Sequence, residues 1–348
     1  MQLVLTKIIR DARSVLIVCH KKPDGDTLGS GFAIWHLCKY YGVPADIVCD
    51  SPLPGPYAFL PDFAELNEQS SDRYDLVFAL DCGDAERMGK FCDYAKSVLT
   101  VNIDHHKTND YFAKINHVVP ELSSTCEAIY DLLSVEGAFQ NGAPEGLSGG
   151  QTPRQLRMSG GQTPRQPRID AGVLQKIAYY LYVGISTDTG HFSHSNVTAK
   201  TFGVAADLTS TGFDVFRVSS DLYRSYSVGR MQLVARAIQS MRFFKEDSIG
   251  IITIMLKDFT ETATEQAETE GIIDYAVSIG SVRVAVCITE QEVNRLYRVS
   301  MRSKGPDVSK VAAVFGGGGH TRASGCHIHG YYEDVVDKVV KAVNDYYE

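Results

Sequence analysis

Short apolar runs rich in β-branched residues recur along the first third of the chain, and each stops at or beside an aspartate or histidine. They lie at residues 15–19, 46–49, 75–80 and 98–103, with helix-like segments at 28–41 and 125–133 among them. Runs of that length and composition predict strands, and strands alternating with helices predict a parallel α/β sheet. Ligands of such open sheets bind beyond the carboxyl ends of the strands. His20, Asp81 and Asp104 each fall within a residue or two of an expected strand end, so the order of elements gives them a shared place to meet.

Four stretches carry the candidate ligands: H-K-K-P-D-G-D at 20–26, A-L-D-C-G-D at 79–84, N-I-D-H-H at 102–106 and G-I-S-T-D-T-G at 184–190. Each is expected where a strand runs into a loop. Pro23 and Gly25 turn the chain so that His20, Asp24 and Asp26 can aim inward. Asp81 ends an apolar run, where an unpaired carboxylate is costly to keep charged; a metal or a buried basic partner would offset that cost. In Asp104-His105-His106 the two imidazoles point in different directions, one suited to a metal and the other to substrate. Asp188 follows the apolar stretch 179–185. Taken singly, each motif also suits a structural role. Together they form a hard ligand set of histidines and aspartates that suits paired Mn²⁺ or Mg²⁺ better than a closed thiolate zinc site. Metal-assisted hydrolysis of phosphate esters is the chemistry it points to.

At 348 residues the chain is long enough for two cores. Beyond residue 208 a largely helical stretch reaches 244, with 228–244 amphipathic; strands are then expected at 249–255, 281–289 and 296–301, followed by a glycine run and a final helix near 332–346. The expected organisation is a first domain over 1–230 that carries the four motifs, a linker helix over 231–245 and a smaller α/β domain over 246–348. Residues 147–157 and 158–168 form an 11-residue tandem repeat with two substitutions. It is too rich in Gly, Pro and Gln to order itself and is expected to be a flexible surface loop, although Arg154, Arg157, Arg165 and Arg168 also make it a candidate basic arm.

A net charge of −8 excludes a broad basic face for long duplex nucleic acid. A small or short anionic substrate stays open, because bound cations would reverse the local field. Eight cysteines without C-x-x-C spacing suggest a reducing, cytoplasmic setting. The N-terminus has the pattern of an amphipathic helix rather than a signal peptide. No apolar run is long enough to span a membrane.

The motifs at His20, Asp24, Asp26, Asp81, Asp104-His105-His106 and Asp188 resemble those of the DHH phosphoesterases, in the family's order, and F-G-G-G-G-H-T-R-A-S-G at 315–325 resembles the signature of their DHH-associated C-terminal domain. The resemblance covers nearly the whole chain except the tandem repeat. It implies a parallel-sheet DHH domain, a smaller α/β C-terminal domain and an active-site cleft between the lobes. It also implies two divalent cations, Mn²⁺ ahead of Mg²⁺ or Co²⁺. One would be held by His20, Asp24 and Asp81, and the other by Asp26, Asp81, His105 and Asp188, with Asp81 bridging. Asp104 would orient His105 or its neighbours, and His106 would face the scissile phosphate. Arg302, Ser303, Gly317, Gly318, Gly319 and His320 would bind a second phosphate or a nucleotide. The nearest branch is the stand-alone two-domain type that hydrolyses very short RNA and 3′-phosphoadenosine 5′-phosphate. Two alternatives are a phosphodiesterase for cyclic or linear di-AMP and a non-catalytic nucleotide-binding protein. A homodimer is compatible with either arrangement.

Overall fold

The structure, a computed structural model, describes residues 3–52, 55–71, 73–139 and 169–347, and the chain divides into two compact units, Met1–Arg224 and Ser225–Glu348. The tandem repeat lies outside the described residues. The first unit runs α1 (Leu5–Asp11), β1 (Val15–Cys19), α2 (Gly25–Tyr40), β2 (Ala45–Cys49), β3 (Leu76–Leu80), α3 (Tyr94–Ser97), β4 (Leu99–Asp104), β5 (Ile115–Val118), α4 (Thr125–Val135), α5 (Ala171–Asp188), α6 (Ala199–Thr209) and α7 (Val215–Tyr223). Its five strands form a sheet in the order β2-β1-β3-β4-β5, every neighbouring pair parallel.

A parallel sheet covered on both faces needs strands that are apolar throughout, and β1 (VLIVC) and β3 (LVFAL) are buried at every position. One face, with Ile17, Phe78 and Ile103, packs against α2, α4 and α5; the other, with Leu16, Val18 and Val77, packs against Met88, Phe91 and Ala95. The strand order reverses between β1 and β3, since β2 lies on one side of β1 and β3 on the other. In open α/β sheets that switch point is where a crevice opens at the carboxyl edge. β5, whose four residues are all half-buried, is an edge strand that its short, polar sequence concealed.

The second unit runs α8 (Val228–Gln239), β6 (Arg242–Phe244), β7 (Ile249–Ile254), α9 (Leu256–Thr262), α10 (Ile273–Val277), β8 (Val284–Glu292), β9 (Leu296–Ser303), α11 (Val308–Val314), β10 (Gly318–His320), β11 (Ala323–His329) and α12 (Tyr332–Asp345). Its sheet has the order β10-β11-β9-β8-β7-β6 and is mixed, β7 and β8 being the parallel pair. Val299, Met301 and Ile328 pack on one face against α11 and α12, while Ile252, Ala285 and Cys287 pack on the other against α8, α9 and α10.

Two expectations need correction here. The stretch 208–244 is largely helical, in α7 and α8 after α6 ends at Thr209, but the helix does not reach 244: Arg242–Phe244 is a strand paired with β7. Nor is α8 a bare linker, because Leu233, Val234 and Ala237 are buried in the second unit's core. The apolar period of 228–244 carried past the helix end because Phe243 and Phe244 belong to the strand that follows. No helix among the described residues is long and apolar enough to cross a membrane.

Candidate metal centre

The register of the first sheet assembles the site. Cys19 pairs with Leu80 and Leu80 with Ile103, so the next residues, His20, Asp81 and Asp104, stand side by side at the carboxyl edge. Asp81 has φ of 58°, a left-handed conformation rare outside glycine. Its amide, donating to the Ile103 carbonyl at 3.0 Å, helps to hold it there.

The turn after β1 leads into α2, whose N-cap is Asp24: its Oδ1 accepts from the amides of Asp26 and Thr27, both at 3.1 Å. The other oxygen, Oδ2, is left 3.5 Å from His20 Nε2. Asp26 is almost fully buried and accepts two N-terminal amides of α4, Thr125 N at 2.7 Å and Cys126 N at 2.9 Å. A helix N-terminus favours a carboxylate in that position. Thr125 Oγ1 donates in turn to Asp81 Oδ1 at 2.9 Å. Helices α2 and α5 cross closely enough that a Cβ on Gly29 would lie 2.4 Å from the Tyr180 carbonyl oxygen, and one on Gly184 would lie 2.8 Å from Asp26 Oδ1. This close approach brings Asp188, at the end of α5, to Asp26.

His20 Nδ1–H donates to the Lys21 carbonyl at 2.8 Å, so Nε2 is the atom offered to the site. It is buried, has no hydrogen-bond partner, and lies 3.3 Å from Asp81 Oδ2. His105 is oriented the same way by the Leu122 carbonyl, 3.3 Å from Nδ1, and its Nε2 lies 3.5 Å from Asp188 Oδ2, 3.6 Å from Asp81 Oδ1 and 3.9 Å from Asp26 Oδ2. Backbone acceptors on the far nitrogen are the usual way to fix a metal-binding imidazole. Three triads result, His20-Asp24-Asp81, Asp26-His105-Asp188 and Asp81-His105-His106, the ligand atoms of each lying within 4.8 Å of one another. Ligands at right angles around a cation about 2.1 Å away stand about 3 Å apart, so these separations fit a divalent ion after small adjustment. The unpartnered buried Nε2 of His20 is the observation that most favours one.

The electrostatics agree with that fit. Burial pushes the Asp26 pKa well up, helped by Asp81 and Asp188, and pushes Asp188 to about 7 against the pull of His105. Burial opposes charge on His20 and His105 too, but the carboxylates around them outweigh it and raise these imidazoles to about 10 and about 9. Asp81 is buried, yet His20, His106 and His105 hold its pKa below the usual carboxylate range. Without a cation the cluster therefore keeps its balance by binding protons. A divalent ion supplies the same positive charge.

Asp104 is completely buried and accepts from His106 Nδ1–H at 2.7 Å and from Asn109 Nδ2 at 2.6 Å. Its partner is thus His106 rather than His105. Asn109 also donates to Asn102 Oδ1 at 2.8 Å, and Asn102 Nδ2 ties down the carbonyls of Ala79 and Cys82. The sequence reading gave Asn102, Asn109 and Thr125 no part in the site. A signal existed for Thr125 alone: Ser124-x-x-Glu127 is a capping-box pattern, and it marks the helix N-terminus that faces Asp26.

Asp188 does not follow a strand. It ends the 18-residue helix α5, whose apolar run 179–185 is buried almost all round and so lacks the one-sided period that would have distinguished helix from strand. The chain then turns sharply through Gly190, His191 and Phe192, with φ of 53°, 56° and 61°. His191 and His194 are exposed and belong to none of the three triads.

In the second unit, Arg302 on β9 pairs with Ala323 on β11, and Ala323 pairs with His320 on β10, which brings Arg302 and His320 to the two sides of one residue. The glycine run is a hairpin strand rather than a bare loop. A Cβ on Gly317 would lie 2.2 Å from the Gly325 carbonyl oxygen, and Gly319 has φ of 138°. Gly318 faces open space, and Ser303 Oγ accepts from Gly305 N at 3.0 Å.

A carboxylate and imidazole cluster at the switch point of a parallel sheet, in a chain that goes on to a separate mixed α/β unit, is the organisation of a phosphate-ester hydrolase. Residues 14–150 match the DHH family N-terminal domain and residues 249–348 match the DHHA1 domain. The chain belongs to the DHH family of phosphoesterases. It is 28% identical over 326 residues to the probable bifunctional oligoribonuclease and PAP phosphatase NrnA of Streptococcus mutans, covering 92% of this chain and 91% of that protein. To the bifunctional oligoribonuclease and PAP phosphatase NrnA of Bacillus subtilis it is 25% identical over 331 residues, covering 94% and 92%. Its fold is similar to that of an exopolyphosphatase-related protein from Bacteroides fragilis, with a TM-score of 0.82 at 23% identity, covering 98% of this chain and 94% of that one.

Proposed function

We propose that this protein is a divalent-cation-dependent phosphodiesterase that degrades very short oligoribonucleotides to mononucleotides, with 3′-phosphoadenosine 5′-phosphate as a second substrate. The observation that carries this reading is the convergence of His20, Asp24, Asp26, Asp81, His105 and Asp188 in triads that share Asp81 and His105. Relatives named for both activities support it, aligning over more than nine tenths of their length and of this chain's.

His20, Asp24 and Asp81 are the proposed ligands of one cation and Asp26, Asp81, His105 and Asp188 of a second, with Mn²⁺ the expected ion. Bound cations would make a water acidic and draw charge from the phosphate oxygens. The chain supplies the rest. Backbone carbonyls hold the imidazoles of His20 and His105 with Nε2 inward, and the α4 amides keep the Asp26 carboxylate from rotating. His106, whose Nδ1–H is held by Asp104, turns Nε2 to the scissile phosphate as a contact or proton donor. Arg302, Ser303, Gly317, Gly318, Gly319 and His320 take a second phosphate. The eight free cysteines suit a reducing cytoplasm.

The test is hydrolysis of a 5′-labelled RNA series from two nucleotides upward with Mn²⁺, beside 3′-phosphoadenosine 5′-phosphate and cyclic di-AMP, with His105→Ala as control. Fast turnover of the shortest RNAs that collapses in the control is the expected result. Preference for the cyclic dinucleotide would move the protein to dinucleotide signalling, and no metal-dependent turnover would refute the reading.

A further inference from the structure

Among the described residues, one face of the second unit's sheet is covered over only part of its width. Under α8, α9 and α10 lie Ile252, Ala285 and Cys287 of β7 and β8. The same face continues across β9, β11 and β10, where the pairing puts Arg302 beside Ala323, Ser300 beside Gly325, Arg298 beside His327 and His320 beside Ala323. The alternate residues Tyr297, Val299 and Met301 point the other way, into the core under α11 and α12. Arg298, Arg302, His320 and His327 are all exposed.

The composition of this uncovered part is one-sided. Its positions are Leu296, Arg298, Ser300 and Arg302 on β9, Ala323, Gly325, His327 and His329 on β11, and Gly318 and His320 on β10. None is an aspartate or glutamate, in a chain whose net charge is −8. Among the described residues no carboxylate forms an ion pair with Arg298 or Arg302. An arginine directly across an antiparallel ladder from a histidine gains nothing from its neighbour when that neighbour is charged, whereas an anion between them satisfies both. Arg298 and Arg302 are four residues apart on one strand, about 13 Å at the usual rise, too far to share one phosphate. The small side chains of Ser300, Ala323 and Gly325 between them leave the floor low.

We propose that Arg298 and His327 form a second anion position on this face, so that Arg302 and His320 bind one phosphate and Arg298 and His327 bind another further along the same single-stranded oligonucleotide. The proposal rests on the short-RNA reading for its substrate and sets a length dependence within it. A dinucleotide reaches one position; a longer RNA reaches both. The face thereby gives substrates a few nucleotides long a contact that the shortest ones do not gain.

The test uses the full-length protein and the variants Arg298→Gln, His327→Gln and the double variant, all at exposed positions. The quantity read is kcat/KM for a pentaribonucleotide divided by that for a diribonucleotide. About a tenfold fall in this ratio is expected for Arg298→Gln, with a shallower salt dependence of the pentanucleotide KM, about 0.7 less in log–log slope for each single-strand phosphate left without its cationic partner. An unchanged ratio overturns the proposal, as does an equal loss on both lengths. Binding of a dye-labelled pentaribonucleotide in EDTA, followed by anisotropy, separates this idea from the enzymatic one. If the wild type hydrolyses no RNA, binding weakened by the substitutions supports the anion position while the short-RNA reading falls. Binding indifferent to both substitutions overturns the position whatever the wild type hydrolyses.

Discussion

Asp104 and the two inward-facing histidines give the sharpest residue-level expectations. Asp104 touches His106 and Asn109 and belongs to none of the three ligand triads, so Asp104→Asn removes the charge that orients His106 without removing a ligand. Losses of about 10–100-fold are typical when such a supporting carboxylate is lost. A fall of that size in kcat, with the Mn²⁺ content of the purified protein unchanged, is the expected outcome; a parallel loss of metal would make Asp104 part of the ligand sphere. The histidines predict a pH effect. With pKa values raised to about 10 and about 9, His20 and His105 carry protons at pH 7 in the cation-free protein and must lose them before Nε2 can bind an ion. Protons compete with the cation, so Mn²⁺ affinity rises as pH increases toward those values, and binding at pH 7 releases protons. Titration calorimetry in two buffers of different ionisation enthalpy counts them, and a count of zero would exclude both histidines as ligands.

At the scale of elements, the crossing of α2 and α5 is what turns separate motifs into one site. Gly29→Ala should raise the intrinsic helix propensity of α2 by about 1 kcal/mol. Yet a Cβ there would lie 2.4 Å from the backbone oxygen of Tyr180, and overpacking of this kind costs about 1–3 kcal/mol. The net expectation is a lower midpoint in urea together with weaker Mn²⁺ binding, because α5 carries Asp188. A stabilised variant would show that the crossing has slack. The strands β1 and β3 could be recognised from sequence because central parallel strands are apolar on both faces, and His20 and Asp81 followed from their ends. The same rule misassigned the support of Asp188, since a helix buried almost all round shows no more period than such a strand. Asn102 and Asn109 were invisible for a different reason. Their roles arise from pairings across the sheet and between elements, and no local pattern encodes those. The hairpin of β10 and β11 was hidden by its glycines, whose low strand propensity is overridden by close backbone packing.

On the scale of the whole chain, the two units have separate cores that share no residue, while every residue of the three ligand triads belongs to the first. A cation that binds only the folded first unit stabilises it by mass action, about 2.7 kcal/mol at a hundredfold excess over Kd, and nothing in the second unit's core is a ligand. The amides of Thr125 and Cys126, which hydrogen-bond to Asp26, report this directly. Hydrogen exchange with and without Mn²⁺ should show them slowed by up to about a hundredfold, the factor that this free energy corresponds to when exchange requires opening of the unit. Amides of β8 and β9 should keep their rates. Equal slowing in both would mean that the two cores open together, and an unchanged rate at Thr125 and Cys126 would mean that no cation engages Asp26.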